Sequence, residues 1–168
     1  MFTLRESIEV AAPMERLFLL STSLAIVERE LGMHPVAAEY VDEHGQRRTT
    51  RTGGLVLRGE RVRWEGWQLG LRHYHVSLIA PFEPYRFFSD RMVAGRFRSF
   101  EHDHSFTQTE RGVRLDDEVR FSLPCGPLGW LAGRFIMTPH IQGLMRRRFR
   151  LLKRIAESEE WRLYLPQQ

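Results

Sequence analysis

Residues 100–121 read FEHDHSFTQTERGVRLDDEVRF, two alternating runs separated by a short polar stretch. Successive side chains of a β-strand point to opposite faces, so each run places every second residue on a common face. These faces hold Phe100, His102, His104 and Phe106 in the first run, and Leu115, Asp117, Val119 and Phe121 in the second. With Arg111-Gly112 as a two-residue turn, the stretch predicts a β-hairpin whose apolar face carries two histidines and an aspartate.

Further strands are predicted upstream of this hairpin. Their runs are Phe2–Val10, Val62–Glu65, Tyr74–Ala80 and Phe87–Met92, the last ending at a bend at Gly95. The first run loses strict alternation near Ser7, which predicts a bulge. In the third run the apolar parity predicts an inner face of Tyr74, Val76 and Leu78, so His73 and His75 are expected to face solvent. Consecutive runs with short turns predict an antiparallel meander.

Helical periodicity appears on both sides of the meander. Two short helices are predicted after the first strand, the second capped by Ser23 and ended by Gly32. A long amphipathic C-terminal helix is predicted with a kink or break near Thr138, because Pro139 lies inside it. Its apolar stripe comprises Leu128, Leu131, Phe135, Ile141, Met145, Phe149, Leu152 and Ala156. Residues 33–52 carry no readable periodicity beyond a predicted turn at His44-Gly45.

Composition bounds the class of protein. A chain of 168 residues with 42% hydrophobic content suits one domain, predicted to span residues 1–168. Cys125 is the single cysteine, which excludes an intramolecular disulfide and favours a reducing compartment. We find neither a signal peptide nor a run near the roughly 20 apolar residues of a membrane span. A cytoplasmic location is therefore expected.

Four stretches, together with the order of the elements, resemble the START-like helix-grip superfamily (SRPBCC; polyketide cyclase/dehydrase and lipid-transport type). They are VRWEGWQLG (62–70), FSDRMVAG (88–95), FRSFEHDHSF (97–106) and DEVRFSLPCGPLG (117–129). The resemblance implies an α+β fold in which a curved antiparallel sheet of about six or seven strands wraps around the C-terminal helix. It also implies a cavity that binds lipids, polyketides or other apolar molecules, with no cofactor.

The residues expected at this cavity fall into two groups. An apolar group lines or floors it: Trp64, Phe88, Met92, Phe100, Phe106, Val119, Phe121, Leu131, Phe135 and Met145. A polar group supplies the candidate catalytic or ligand-orienting side chains: Asp90, His102, His104 and Asp117. The predicted turns place His104 opposite Val119, and His102 opposite Phe88. Three roles remain open for the polar group, namely a buried hydrogen-bond network, ligand orientation, or acid–base catalysis.

Function is therefore expected to be binding, transport or sequestration of a hydrophobic or amphipathic small molecule. The alternative is an aromatase/cyclase- or dehydratase-type enzyme that uses His102 or His104 as acid and base. No metal site is expected, because no cysteine or helical His-Glu-x-x-His accompanies the histidines. The protein is expected to be a monomer or homodimer.

The basic residues concentrate near the C-terminus. The net charge of the chain is +4, and residues 134–162 hold eight basic and three acidic residues, a local net of +5. The cluster at Arg146–Arg154 has three interpretations: a solvated helix face, a contact with anionic lipid through Arg146, Arg147, Arg148 and Arg150, or a nucleic-acid or ribosome contact. Because the rest of the chain is nearly neutral, nucleic-acid binding is the least expected of the three.

Overall fold

The computed structural model describes residues 1–41, 46–49 and 53–165, and the predicted turn at His44-Gly45 lies outside these residues. The strands are β1 (Phe2–Val10), β2 (Met33–Val41), β3 (Arg47–Thr49), β4 (Arg61–Gln68), β5 (Leu71–Glu83), β6 (Phe87–Gly95), β7 (Ser99–Thr109) and β8 (Gly112–Ser122). The helices are α1 (Met14–Ser21), α2 (Leu24–Leu31), α3 (Gly126–Ala132) and α4 (Thr138–Ala156), with a π-helical turn at Gly133–Met137 and a 3₁₀ turn at Glu159–Leu163.

One antiparallel sheet contains all eight strands in the order β1-β8-β7-β6-β5-β4-β2-β3. Seven of these strands have eight or more residues, and β3 has three. The two short helices follow β1, and the long C-terminal helical segment follows β8. The predicted α+β fold, with a sheet that wraps around the C-terminal helix, is confirmed.

The β7–β8 hairpin closes one residue earlier than predicted. Thr109 pairs with Gly112, so Glu110-Arg111 forms the turn instead of Arg111-Gly112. As a result His104 pairs with Asp117. The separate β6–β7 register also differs from its prediction, and Asp90 of β6 pairs with His102. The predicted partners were therefore wrong by two residues. An even shift leaves each side chain on its original face, and the predicted inner face of this hairpin is correct.

Strand β5 faces the opposite way from its prediction. Trp64 of β4 is buried and pairs with His75, which places His75 on the inner face of the sheet. Tyr74 is 41% exposed on the outer face. The prediction failed because the outer face of β5 also carries apolar side chains, so its own alternation does not identify the buried face. The buried residues of β4 do identify it.

Strand β1 pairs with β8 without interruption, so the predicted bulge near Ser7 is wrong. The polar residue that breaks the apolar alternation is Glu6, which shares its face with Leu4 and Ile8. Its carboxylate accepts hydrogen bonds from Gln142 at 3.0 Å and Arg146 at 2.9 Å on α4. Glu6 is therefore polar because it faces polar side chains of α4, the helix that covers this strand.

The helices bury their apolar faces against the inner side of the sheet. Helix α2 begins after Ser23 and ends at Gly32, whose φ of 64° is the left-handed conformation that glycine adopts at low cost. Leu17 of α1, Leu24 of α2 and Leu152 of α4 are fully buried in one core. Their burial fixes α4 across the concave face of the sheet.

In place of a break, a π-helical turn at Gly133–Met137 interrupts the α-helical pattern of the continuous C-terminal helix and ends immediately before Thr138-Pro139. Gly133 packs against the ring of Phe2, and a Cβ atom there would lie 2.3 Å from that ring. The close approach explains why glycine occupies this position. Among the described residues, no helix combines the length and apolar character needed to cross a membrane.

Candidate ligand-binding cavity

A cavity of about 280 Å³ lies between the inner face of the sheet and the helices α2 and α4. Strands β4 to β8 form its floor. Most of its wall is apolar or aromatic, including Val27, Leu31, Met33, Val56, Ile79, Phe97, Ile141 and Leu144. Polar side chains are concentrated at the end near α2 and the middle of α4, which we call the deep end. The opposite end, near the β4–β5 and β6–β7 turns, is the mouth.

Eight of the residues expected at the cavity lie in its wall: Trp64, Phe88, Asp90, Phe100, His102, His104, Val119 and Met145. Asp117 is fully buried directly behind His102 and His104. Phe106 and Phe121 are buried in the core and do not line the cavity. Met92 is half-buried and also lies outside the wall, with its side chain close to Gly95.

Leu131 and Phe135 contradict the prediction, because they are 46% and 69% exposed. Both precede the start of α4 at Thr138. The π-helical turn holds more residues per turn than an α-helix, so it rotates the side chains that precede it relative to those that follow. The apolar stripe of α4 therefore does not continue into α3, and the six-residue step from Phe135 to Ile141 departs from its three- and four-residue spacing.

Asp117 is the centre of the deep end. Its two carboxylate oxygens accept hydrogen bonds from His102 Nε2 at 3.1 Å and His104 Nδ1 at 2.8 Å. Arg148 Nε lies 3.4 Å from the oxygen that also faces His102. Burial alone would raise the pKa of Asp117, but His104 and His102 outweigh it and hold that pKa well below its usual range. Asp117 is therefore ionised near neutral pH.

Arg148 was predicted at a surface and is instead buried, which corrects its assignment to a lipid-binding face. Its guanidinium donates a hydrogen bond of 2.7 Å to the buried Glu30 on α2. Burial would lower the pKa of Arg148, but the carboxylates of Glu30 and Asp117 raise it overall. The pKa of Glu30 is raised, mainly by burial and against the effect of Arg148. This ion pair joins α2 to α4 across the deep end.

The burial of Arg148 could have been predicted from the sequence. Ile141, Met145, Arg148 and Leu152 recur at four, three and four residues, so the arginine occupies the same face as the apolar stripe. A charged side chain at such a position requires a buried partner of opposite charge.

His104 lies in the cavity wall with only 4% of its side chain exposed, and it stacks on Phe88 with ring centroids 4.2 Å apart. Burial lowers its pKa to about 4, and Asp117 only partly opposes this effect. The imidazole is therefore neutral near pH 7. Its Nδ1–H is committed to Asp117, so His104 acts as a support for the wall.

Asp90 and His75 are the partly exposed polar residues of the deep end, and both line the cavity. Their side chains are 26% and 13% exposed, and His75 Nε2 lies 3.9 Å from Asp90 Oδ1. The His75 ring meets Phe100 edge to face at 5.4 Å. Burial would raise the pKa of Asp90, but His75 and His102 outweigh it and hold the pKa below its usual value. His75 was expected in solvent, so sequence reasoning missed it.

The mouth combines apolar and weakly polar groups. His140 at the start of α4 hydrogen-bonds Gln68 at the end of β4, with an Nε2–Oε1 distance of 3.0 Å. Leu69 and Leu71 flank the β4–β5 turn with exposures of 53% and 60%. Arg96 lies on the mouth side of the wall and is exposed. The mouth is therefore open to solvent, whereas the deep end is closed.

His102, His104 and Asp117 could in principle hold a metal ion, because one donor atom from each lies within 4.8 Å of the others. In this structure the same donor atoms are engaged in hydrogen bonds to one another. The Arg148 guanidinium next to Asp117 also opposes a second cation there. The arrangement fits a hydrogen-bond network better than a metal centre.

The basic cluster at Arg146–Arg154 is largely engaged in ion pairs. Arg146 pairs with Glu6 at 2.9 Å, Lys153 with Glu157 at 2.7 Å, and Arg154 with Glu160 at 3.5 Å. Arg147 and Arg150 are exposed. A contact with anionic lipid through Arg146, Arg147 and Arg150 remains a prediction.

No protein-family model and no curated protein matches this sequence. Solved structures do match it. The protein TTHA0849 from Thermus thermophilus aligns over 89% of this chain and 96% of its own, with a TM-score of 0.64 and 16% identity. The di-domain ARO/CYC StfQ from the steffimycin biosynthetic pathway aligns over 94% of this chain and 51% of its own, with a TM-score of 0.69 and 12% identity. Ara h 8.0201 aligns over 90% of this chain and 97% of its own, with a TM-score of 0.56 and 12% identity.

The chain has the helix-grip fold. The START-like resemblance that the sequence indicated is confirmed at the level of fold. At these identities the likeness concerns the fold alone, and the chain spans about half the length of the di-domain StfQ. The function must therefore be argued from the helix-grip cavity itself.

Proposed function

We propose that the protein binds a hydrophobic or amphipathic small molecule in the helix-grip cavity. The observation that carries this proposal is a cavity of about 280 Å³ with a mostly apolar wall and its buried charged groups at the deep end. Ligand sites of proteins are mostly apolar concavities with a few well-placed polar groups, and the smallest typical volumes are about 300 Å³. The cavity is therefore suited to a small ligand with one polar head.

The similar structures support this proposal without identifying the ligand. StfQ is described as a di-domain ARO/CYC of the steffimycin biosynthetic pathway. In the present chain the residues that support the proposal are Trp64 and Phe100 in the wall, with Asp90 and His102 at the deep end.

Isothermal titration with decanol tests the proposal, because this probe has an apolar chain and one neutral head. We expect saturable binding with a negative heat-capacity change, the signature of apolar burial. Leu144→Trp adds bulk to the cavity wall and is expected to abolish binding. Arg147→Trp adds the same side chain at an exposed site on the same helix and should bind as the wild type does. Equal decanol binding by both variants would contradict the proposal.

One observation favours an enzyme as a second candidate. Buried Asp117 holds His102 by its Nε2 atom, while the same imidazole lines the cavity. A carboxylate that orients an imidazole is a common arrangement for a general base. His104 would take no direct part, because its Nδ1–H is committed to Asp117 and its side chain is only 4% exposed. In this candidate the substrate is a carbonyl compound of polyketide type, cyclised or dehydrated with His102 as the base.

His102→Gln separates the two candidates. If β-polycarbonyl or β-hydroxycarbonyl compounds are turned over, we expect this variant to lower the rate about 10²-fold and to keep most of the decanol affinity. If none of them is turned over by the wild type while decanol binds, the enzyme candidate is excluded and the binding proposal stands.

A further inference from the structure

The deep end of the cavity holds more carboxylates than permanent cations. Glu30, Asp90 and Asp117 meet there, and among the described residues Arg148 is the one arginine or lysine beside them. The three carboxylates therefore outnumber the one permanent cation by two. An excess of negative charge in a region shielded from water is costly unless positive charge or hydrogen-bond donors balance it.

Two of the three carboxylates have strong donors. Glu30 accepts a hydrogen bond of 2.7 Å from Arg148. Asp117 accepts two imidazole hydrogen bonds and lies 3.4 Å from the same guanidinium. Their positions are therefore explained by the fold, because each has a partner within the deep end.

Asp90 differs from both, because no arginine or imidazole of the described residues lies within hydrogen-bond distance of it. Its Oδ1 atom is buried and accepts no hydrogen bond from the described residues, and His75 Nε2 lies 3.9 Å away, beyond hydrogen-bond distance. The side chain is nevertheless 26% exposed, and it lines the cavity. Asp90 is thus the carboxylate of the three with the weakest protein partner and the most exposed side chain.

The surroundings of Asp90 also favour positive charge. Phe88 and Phe100 line the same cavity, and the faces of aromatic rings attract cations. At the mouth, Arg96 is exposed and repels a cation. A positively charged head is therefore driven from the mouth toward the deep end, whereas an anionic head is drawn the opposite way.

From this arrangement we infer that the cavity takes an amphipathic amine, whose protonated nitrogen pairs with the Asp90 carboxylate while its apolar body fills the wall toward the mouth. The inference rests on the proposed binding function and specifies its ligand class. His75 and His102 flank the amine, and Asp90 supplies the charge-assisted hydrogen bond.

Three ten-carbon probes with different heads test the inference by isothermal titration at pH 7: decylammonium, decanol and decanoate, each below its micellar concentration. We expect decylammonium to bind about tenfold tighter than decanol, because a hydrogen bond to a charged partner is stronger than a neutral one, and decanoate to bind most weakly. This ranking in the wild type requires no variant, so it remains a test even if a substitution disturbs folding.

Asp90→Asn removes the charge and preserves the shape of the side chain. We expect it to lower decylammonium affinity about tenfold and to leave decanol affinity nearly unchanged. Asp116→Asn makes the same change on the exposed outer face of the sheet and should alter neither affinity. A thermal unfolding curve for each variant checks that the fold is intact.

The outcomes separate the two proposals. Decanoate binding as tightly as decylammonium, or a preference for decylammonium that survives in folded Asp90→Asn, would overturn the amine inference and leave ligand binding in place. Failure of all three probes to bind would overturn both the binding proposal and the inference that rests on it.

Discussion

The deep end and the mouth of the helix-grip cavity are built in opposite ways. At the deep end Asp117 and Arg148 are buried and joined to histidines and Glu30 by short polar contacts. At the mouth Leu69 and Leu71 are more than half exposed. Buried ionic contacts connect strands to helices, whereas exposed apolar side chains contribute little to the free energy of unfolding. The comparison indicates that the deep end controls stability and the mouth controls access.

The largest expected effect comes from breaking the buried ion pair. Arg148→Met keeps most of the side-chain volume but leaves Glu30 and Asp117 without their guanidinium. We expect the free energy of unfolding to fall by about 3 to 5 kcal/mol, the usual cost of an uncompensated buried charge. Urea denaturation measures it. Arg147→Met, an exposed neighbour, should change the free energy by less than about 0.5 kcal/mol. Similar values for both variants would show that the deep end has no special role in stability.

The second effect is a pH dependence that originates at the deep end. The folded pKa of His104 is about 4 against an ordinary value of 6.5. Between these values the unfolded chain binds more protons than the folded one, so acidification destabilises the fold. The contribution of His104 is complete above pH 6.5 and decreases toward pH 4, with a slope of about 1.4 kcal/mol per pH unit and a total of roughly 3 kcal/mol.

His104→Asn tests this dependence, because the amide can donate to Asp117 as Nδ1 does but does not titrate. The free energy of unfolding, measured in urea from about pH 4.5 to 7, should fall less steeply on acidification in this variant than in the wild type. An identical slope in His104→Asn and wild type would contradict the buried, neutral state of His104.

Most of the fold could be predicted from the sequence, because strand alternation and helical periodicity are local patterns. The β7–β8 register was wrong by two residues, yet the face of each side chain survived because an even shift preserves parity. For strand β5 the predicted inner and outer faces were exchanged. Apolar residues occupy its outer face, and only its pairing with the buried Trp64 reveals that His75 points inward.

The site was predicted less completely, because its decisive contacts are not local. Arg148 and Glu30 are 118 positions apart, and no local pattern pairs them. The spacing of Arg148 on the apolar stripe indicates burial, but a concentration of arginines nearby favoured a surface. Phe135 was misplaced because the π-helical turn at Gly133–Met137 changes the phase of the helix. The six-residue step from Phe135 to Ile141 is a signal of this change in the sequence.

The smallest effect is expected at the mouth. The double substitution Leu69→Ser with Leu71→Ser removes exposed apolar surface, so the free energy of unfolding should change by less than about 0.5 kcal/mol. Stopped-flow mixing with decanol should show slower association, since the apolar entrance is lost, with an affinity lowered only a few-fold. A loss of stability comparable with that of Arg148→Met would remove the distinction between the two regions.

The most direct test of the binding proposal is a methyl-region NMR titration with decanol. The resonances of Val119, Ile79 and Met145, whose side chains line the cavity, should shift and saturate together. Those of Leu128 and Leu163, which are 73% and 80% exposed elsewhere on the molecule, should stay in place. Shifts confined to the exposed leucines, or none at saturating decanol, would contradict ligand binding between the sheet and the C-terminal helix.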